Sequence, residues 1–214
     1  MSFRSKFSRY ILAATAFGAL ALTLGLTRLT ALADEPKVGV TDMYPTAIGT
    51  EWVYKVGPVE VTERVAKHEQ INGEWCARIE TVFNGEVKSF EHLAVRKDGI
   101  YRAAISGITL EPPICVLKLP PRNGEQWSVN SKIVAGGAQV PVTGDFVVTT
   151  SQVTVPAGEF KTAAVEGKKF RAGSKEISFT HHFAPKFGKV KQTITTDGEP
   201  RNLELKEFHA GRAN

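Results

Sequence analysis

Apolar and polar residues alternate with a period of two along most of the chain after residue 33. In the segment EWCARIETVF, residues 74–83, every second side chain from Trp75 to Phe83 falls on one face, and most of these side chains are apolar. A period of two is typical of a β-strand that buries one face, whereas an amphipathic helix has a period near 3.6. Segments of this kind recur along the chain and predict about a dozen short strands.

Turn-forming dipeptides separate the alternating segments. Four of them are Asn72-Gly73, Asn84-Gly85, Asp98-Gly99 and Asp197-Gly198. Such pairs accept the positive φ that tight β-hairpins require. Because clear helical segments are almost absent from this region, the sequence predicts an all-β antiparallel domain, either a sandwich or barrel-like.

One motif occurs twice. Pro45, Gly49 and Trp52 have the spacing Pro-x3-Gly-x2-Trp, and Pro120, Gly124 and Trp127 repeat it. Each copy is followed by a Gly-Glu-aromatic step (73–75 and 158–160) and then by a His-x-Ala step (92–94 and 182–184). We therefore predict two related curved sheets, residues 44–116 and 117–208, that form one domain with approximate twofold symmetry. An insertion in the second half is predicted within residues 135–144.

The first 33 residues have the layout of a secretory signal peptide. Three basic residues precede an apolar run at 10–27, and the cleavage pattern Ala31-Leu32-Ala33 stands before Asp34. We predict a signal peptide at 1–33, a flexible mature N-terminus at 34–43 and a C-terminal tail at 209–214. The alternative is an uncleaved membrane anchor, because the apolar run approaches the length that spans a bilayer.

The net charge of the chain comes mostly from this first segment. The sequence has 27 Lys and Arg against 22 Asp and Glu, and four of the basic residues but none of the acidic ones lie in residues 1–33. The remainder has 23 basic and 22 acidic residues, a net charge of +1. Such a domain gives no electrostatic reason to expect nucleic acid or anionic lipid as a partner. We expect membrane contact only through the signal segment, if that segment is uncleaved.

The motifs resemble those of a family of uncharacterised exported bacterial β-rich proteins. The shared segments are residues 44–54, 120–127, the V-P-A-G-x-F step at 155–160 and the segment 184–190. The layout is similar to that of periplasmic half-barrel proteins, some of which carry lipid. This resemblance implies an exported β fold in the periplasm or the extracellular cell envelope, and it supplies no active site.

No cluster of catalytic residues stands out in the sequence. His181 and His182 are neighbours, and neighbours on a strand point to opposite faces, so they do not form one metal site. We predict that His181 lies in or near the core, because it shares a face with Phe179 and Phe183. His182 aligns with His92 of the first half, and a site built from both halves would require these two to converge. We expect no metal and no cofactor.

Two hypotheses are open for the state of the two cysteines, Cys76 and Cys115. An exported chain can form a disulfide between them, or both can remain as buried, reduced thiols.

The leading functional hypothesis is a non-enzymatic exported protein of the cell envelope that binds an apolar or amphipathic, lipid-like ligand between its halves. The aromatic residues predicted to hold the ligand are Trp52, Trp75, Trp127, Phe179 and Phe183. One alternative is an interaction module that binds an envelope protein or a polysaccharide through an exposed edge or the loop at 135–138. The other is a hydrolase that uses His182 with a nearby carboxylate.

Overall fold

A computed structural model describes residues 38–196 and 199–212 of the chain. The predicted signal peptide and the first residues of the predicted flexible segment lie outside these ranges. Within them the regular elements are strands: β1 (Glu51–Val56), β2 (Val59–Ile71), β3 (Glu74–Phe83), β4 (Glu86–Arg96), β5 (Gly99–Ile105), β6 (Ile108–Lys118), β7 (Gln126–Ala135), β8 (Ala138–Val155), β9 (Gly158–Ala172), β10 (Lys175–Ala184), β11 (Gly188–Thr196) and β12 (Glu199–His209).

The strands form a closed antiparallel barrel. Each strand pairs with its neighbours in sequence, and β12 pairs with β1 to close the ring. The predicted all-β antiparallel fold is confirmed, and its barrel form is the one adopted. In the described part of the chain, no helix has the length and apolar character needed to cross a membrane.

Alternation along the strands sets the inner and outer faces of the wall. Trp52 and Tyr54 on β1 and Val65 on β2 are fully buried in the lumen. Val65 pairs with Ile79 of β3, which is also buried. Directly paired residues share a face, so the ladder carries the inward face from strand to strand. His181 lies on this face because it pairs with buried Val165, as its spacing from Phe179 and Phe183 predicts.

The two copies of the Pro-Gly-Trp motif adopt the same local structure. Gly49 and Gly124 have φ values of 83° and 81°, a conformation that favours glycine. The Gly49 N–H donates to the Val65 carbonyl over 2.9 Å, and the Val65 N–H donates to the Thr50 carbonyl over 2.9 Å. The second copy repeats both bonds at 2.8 and 2.9 Å through Gly124, Val148 and Glu125. The two copies of the motif thus share one local structure, while duplication of the complete halves stays a prediction.

The tryptophans of the two motifs bond across the predicted boundaries between the halves. Trp52 Nε1 donates to the carbonyl of Phe187 over 2.6 Å, and Trp127 Nε1 donates to the carbonyl of Cys115 over 2.9 Å. The second boundary falls near the end of β6, which pairs with β7 only over residues 109–111 with 132–134. Pro112 and Pro113 follow on β6 and have no N–H to donate. Side-chain hydrogen bonds therefore replace part of the main-chain ladder between β6 and β7.

The two ends of the barrel differ. Residues 38–50 cross one end, which we call the closed end, and bury Val38 and Tyr44 in the core. Residues 38–43 belong to the segment that the sequence predicts to be flexible. In the structure this segment is hydrogen-bonded to the barrel, because the Lys186 N–H donates to the carbonyl of Asp42 over 2.6 Å. The β8–β9 turn folds over the same end, where the Ala157 N–H donates to the carbonyl of Leu205 over 2.9 Å. The opposite end, formed by the β1–β2, β3–β4, β5–β6, β7–β8 and β9–β10 turns, is called the open end.

The thiols of Cys76 and Cys115 are free, so the disulfide reading is not the one that the structure adopts. Cys76 is on β3 and Cys115 on β6, with two strands between them. Strand spacing alone separates their Cα atoms by more than about 10 Å, whereas a disulfide needs about 7 Å or less. Burial raises the pKa of both thiols to about 11, which makes them unreactive near neutral pH.

We expect the substitution Trp52→Phe to lower the free energy of unfolding by about 1–3 kcal/mol, because it removes a buried hydrogen bond and core volume. Urea unfolding followed by circular dichroism measures the change. Trp75→Phe is the matched control, since Trp75 is half-buried and its indole has no hydrogen-bond partner among the described residues. An equal loss of unfolding free energy in both variants would show that the hydrogen bond from Trp52 to the Phe187 carbonyl does not stabilise the protein.

Candidate functional site

Exposed aliphatic side chains surround the open end on the inward face of the barrel. Within the described residues these side chains, which we call the apolar rim, are Val59, Ile105, Ile108 and Val140. Between 37% and 42% of each residue is exposed. Inward-facing apolar side chains elsewhere in the barrel are mostly buried, so the rim marks a part of the lumen that stays in contact with water.

Strand register places the rim on the inward face. Ile105 pairs with Glu91, and Glu91 pairs with the buried Ile79. Because directly paired residues share a face, Ile105 faces the lumen, and so does its own partner Ile108. The ladder through β6, β7 and β8 places Val140 there too, and alternation along β1 and β2 places Val59 there.

Half-buried apolar side chains continue the lumen wall below the rim. They are Val61, Phe83, Ile133, Ile177, Ile194 and Leu203. Six different strands, β2, β3, β7, β10, β11 and β12, contribute one each. The wall is therefore apolar around half of the circumference, and pockets that hold apolar ligands have linings of this kind.

A layer of polar side chains crosses the lumen beneath this wall. Lys189 and Glu63 form an ion pair of 2.8 Å, with side chains only 8% and 7% exposed. Lys189 Nζ also donates to Gln192 Oε1 over 2.9 Å and lies 5.5 Å from the ring centroid of Tyr54. The other oxygen of the Glu63 carboxylate is buried without a hydrogen-bond partner in the described structure.

A second ion pair in the layer faces the open lumen. Arg102 Nε donates to Glu91 Oε2 over 2.5 Å, and these side chains are 25% and 18% exposed. Burial disfavours the charged form of Glu91, but the positive charges of Arg102 and Lys189 outweigh burial and lower the pKa of its carboxyl. Glu91 therefore stays ionised at neutral pH.

A cavity of about 10 Å³ lies among the polar residues, and its polar lining comes from Tyr44, Glu91, Arg102, His181 and Lys189. This volume suits about one water molecule. Burial, with smaller contributions from Lys189 and Arg102, lowers the pKa of His181 well below its usual value. Burial also raises the pKa of the Tyr44 hydroxyl. The imidazole is thus neutral and the phenol protonated at neutral pH.

Four of the five aromatic residues predicted to bind ligand belong to one aromatic cluster. Trp52 and Phe183 each contact Tyr44, at centroid distances of 5.3 and 6.3 Å, while Trp127 and Phe179 both contact Phe146. His181 joins the two groups, at centroid distances of 5.0 Å from Phe179 and 6.0 Å from Phe183. Trp75 has no ring contact of this kind among the described residues, but it packs against the same hydrophobic core. Both indole groups of the cluster donate to backbone carbonyls, which is the geometry of core packing.

Phe179 is the member of this cluster that reaches toward the lumen wall. It pairs with Gly167, and a Cβ at Gly167 would overlap its ring. The glycine therefore makes room for the ring to lie flat against the wall. Ligand binding by the five aromatic residues stays a prediction.

Sequence reasoning did not identify the apolar rim or the pair of Glu91 and Arg102. One signal was present: the turn Ser106-Gly107 is flanked on both sides by isoleucine in the segment AISGIT. Hairpin tips are usually polar. Two large aliphatic residues beside a turn therefore indicate that the tip is buried or that it binds another molecule.

The geometry around His182 does not match the hydrolase alternative. His182 faces outward, and its Nδ1 lies 3.2 Å from Ser151 Oγ and 3.3 Å from Thr162 Oγ1. No carboxylate bonds to it among the residues that the structure describes. His92 also faces outward, on β4, where its Nε2 lies 2.6 Å from Glu69 Oε1. The two aligned histidines therefore lie on separate parts of the outer wall and do not converge.

The described ranges contain no group of three or more His, Cys, Asp or Glu side chains placed to hold a metal ion.

Comparisons with known proteins identify similar folds. No family model matches the chain, and no curated protein matches it. A solved structure from Parabacteroides distasonis ATCC 8503, described as a "putative lipoprotein", is similar with a TM-score of 0.50 and 14% identity, covering 80% of this chain and 100% of that one. A second, from Bacteroides fragilis NCTC 9343 and described as a "putative exported protein with YmcC-like fold", has a TM-score of 0.46 and 13% identity, covering 78% and 98%. The first likeness shows a shared fold.

We expect Lys189→Met to destabilise the protein by about 3–5 kcal/mol, because it leaves the buried Glu63 carboxylate without its charge partner. Chemical unfolding measures the loss, and adding Glu63→Gln to the same chain should restore much of it. The control is Arg171→Met, which breaks an ion pair of 3.1 Å on the outer surface and should cost less than about 1 kcal/mol. Similar losses in both single variants would contradict a buried, paired charge.

Neutral His181 predicts a pH dependence of stability. Its folded pKa is lowered, so below the unfolded value of about 6.5 the unfolded chain binds a proton that the folded chain does not. Stability should therefore fall as pH drops from 7 to 5, by up to about 1.4 kcal/mol per pH unit for this group. His181→Gln should flatten the profile in unfolding experiments at several pH values. An unchanged slope would contradict a neutral, buried imidazole.

Proposed function

We propose that this chain is a non-enzymatic exported protein of the cell envelope that binds an amphipathic ligand through the open end of its barrel. The apolar part of the ligand lies against the rim and the wall below it, and its polar end reaches the polar layer. The observation that carries the proposal is the apolar rim, whose side chains face inward yet remain exposed.

The physical argument compares the two ends of the lumen. At the closed end, residues 38–50 and the aromatic cluster fill the interior, so Trp52, Tyr54 and Phe183 are almost fully buried. At the open end, the side chains in equivalent inward positions lack this cover. Covering apolar surface is favourable by about 25 cal/mol per Å², so a ligand that fills the open end gains from contacts that the chain itself does not make.

Both predicted halves contribute to this end. Val59, Ile105 and Ile108 belong to the first half and Val140 to the second. A ligand here would therefore lie between the halves, although it would contact aliphatic residues before the aromatic ones.

Export is supported by the signal-peptide layout of residues 1–33. The structural neighbour from Parabacteroides distasonis, which shares the fold, is described as a "putative lipoprotein". Both observations favour a place in the periplasm or the extracellular cell envelope.

The binding proposal is tested with purified, delipidated protein titrated with a fluorescent fatty-acid analogue. We expect saturable binding at micromolar concentrations. Replacing both Ile105 and Ile108 by serine should weaken it by about tenfold or more, because two apolar contacts at the entrance are lost. The matched control is Val87→Ser, since Val87 is 43% exposed on a neighbouring hairpin but pairs with Val82 on the outer face.

Absence of saturable binding by the unsubstituted protein would remove the ligand from the proposal. Equal weakening by the rim and control substitutions would place any binding outside the open end.

A further inference from the structure

We infer that the polar end of the ligand is a carboxylate, held by Arg102, Tyr44 and His181 where the polar layer meets the open lumen. This inference rests on the proposed function and adds the chemical class of the ligand, a long-chain carboxylic acid. It follows from hydrogen-bond donors that converge on one small cavity without partners of their own.

Arg102 supplies the charge. Its Nε is taken by Glu91, but neither Nη group has a hydrogen-bond partner among residues 38–196 and 199–212. A guanidinium has five N–H donors in a planar fork that matches the two oxygens of a carboxylate. The side chain is one-quarter exposed and lines the cavity, so these donors are accessible from the lumen.

Tyr44 and His181 supply two further groups. Both residues are more than nine-tenths buried and both line the cavity with Arg102. Neither the Tyr44 hydroxyl nor the His181 ring has a hydrogen-bond partner in the described part of the chain. Because both residues line the cavity, a ligand atom placed there can bond to them. A neutral imidazole and a phenol each provide one donor, so a carboxylate would satisfy both.

The size and position of the cavity favour a compact head group. At about 10 Å³ it has room for about one water molecule, so a carboxylate oxygen fits where a substituted phosphate would not. Ile105 of the rim pairs directly with Glu91 of the layer. An alkyl chain attached to the carboxylate would therefore pass straight from the cavity to the apolar wall.

The charges of the layer distinguish an acid from an amine. Glu91 already accepts a bond from Arg102, and Glu63 does not line the cavity. Glu63 is instead bound to Lys189 in the sealed part of the layer. Glu91 Oε1 also has no hydrogen-bond partner among the described residues, but the cavity lining carries two positive side chains, Arg102 and Lys189, against the single carboxylate of Glu91. This excess of positive charge favours an anion over a cation.

The test compares hexadecanoic acid, hexadecanol and hexadecylamine, each used to displace the neutral probe N-phenyl-naphthylamine from purified protein. We expect the acid to bind about tenfold or more tightly than either of the other amphiphiles, because only the acid pairs with Arg102. Tyr44→Phe keeps the ring that packs between Trp52 and Phe183 and removes only the hydroxyl. It should weaken acid binding about tenfold and leave alcohol binding unchanged.

A second variant, Arg102→Gln with Glu91→Gln, removes the ion pair as a unit and should abolish the preference for the acid. Arg171→Gln on the outer surface is the control and should change nothing. Equal binding of acid and alcohol, or tighter binding of the amine, would overturn the carboxylate inference and leave the proposed function standing. If the probe does not bind and none of the amphiphiles binds directly, both the inference and the proposed function fail.

Discussion

The pairing of β1 with β12 is the constraint on which the rest of the structure depends. It joins the two ends of a meandering sheet, and Glu51 to Lys55 on β1 lie opposite residues 204–209 on β12. Two side chains of β1 reinforce the joint, because Trp52 bonds to the carbonyl of Phe187 and Tyr54 to the carbonyl of Lys189 over 2.7 Å. Without closure, the sheet would have two free edges prone to pairing with other chains. With it, the inward faces of all the strands enclose one lumen, and the residues of distant strands become neighbours.

Enclosure also explains why charged residues are tolerated inside. Glu63 and Lys189 are 126 positions apart in sequence, yet they meet because β2 and β11 face the same lumen. Removing both charges from water is costly, and their attraction offsets this only when the geometry is good and further bonds are made. Gln192 and Tyr54 provide such contacts for Lys189. The pair of Glu91 and Arg102 is less complete, because the Nη groups of Arg102 have no hydrogen-bond partner among the described residues. The same layer thus combines a sealed structural pair with an accessible one.

The sequence predicted the features that depend on local pattern. Period-two alternation predicted the strands, the spacing of His181 from Phe179 and Phe183 predicted its inward face, and the repeated Pro-Gly-Trp motif predicted a repeated local structure. Features that depend on the position of strands around the barrel could not be predicted from the sequence. Whether Ile105 is covered or exposed depends on what stands across the lumen, and the distance between Cys76 and Cys115 depends on the order of strands. The meeting of Arg102 with Tyr44 depends on the segment that crosses the closed end, which has no pattern that assigns it to the interior.

The position of residues 38 and 212 has a practical consequence. Val38 is buried at the closed end, and the Gly211 N–H donates to Thr50 Oγ1 over 3.1 Å at that same end. Both extremities of the described chain therefore leave the barrel on the side away from the apolar rim. A tether attached to either one, whether an affinity tag on a resin or a linker to a sensor surface, would immobilise the molecule with its open end turned toward the solution.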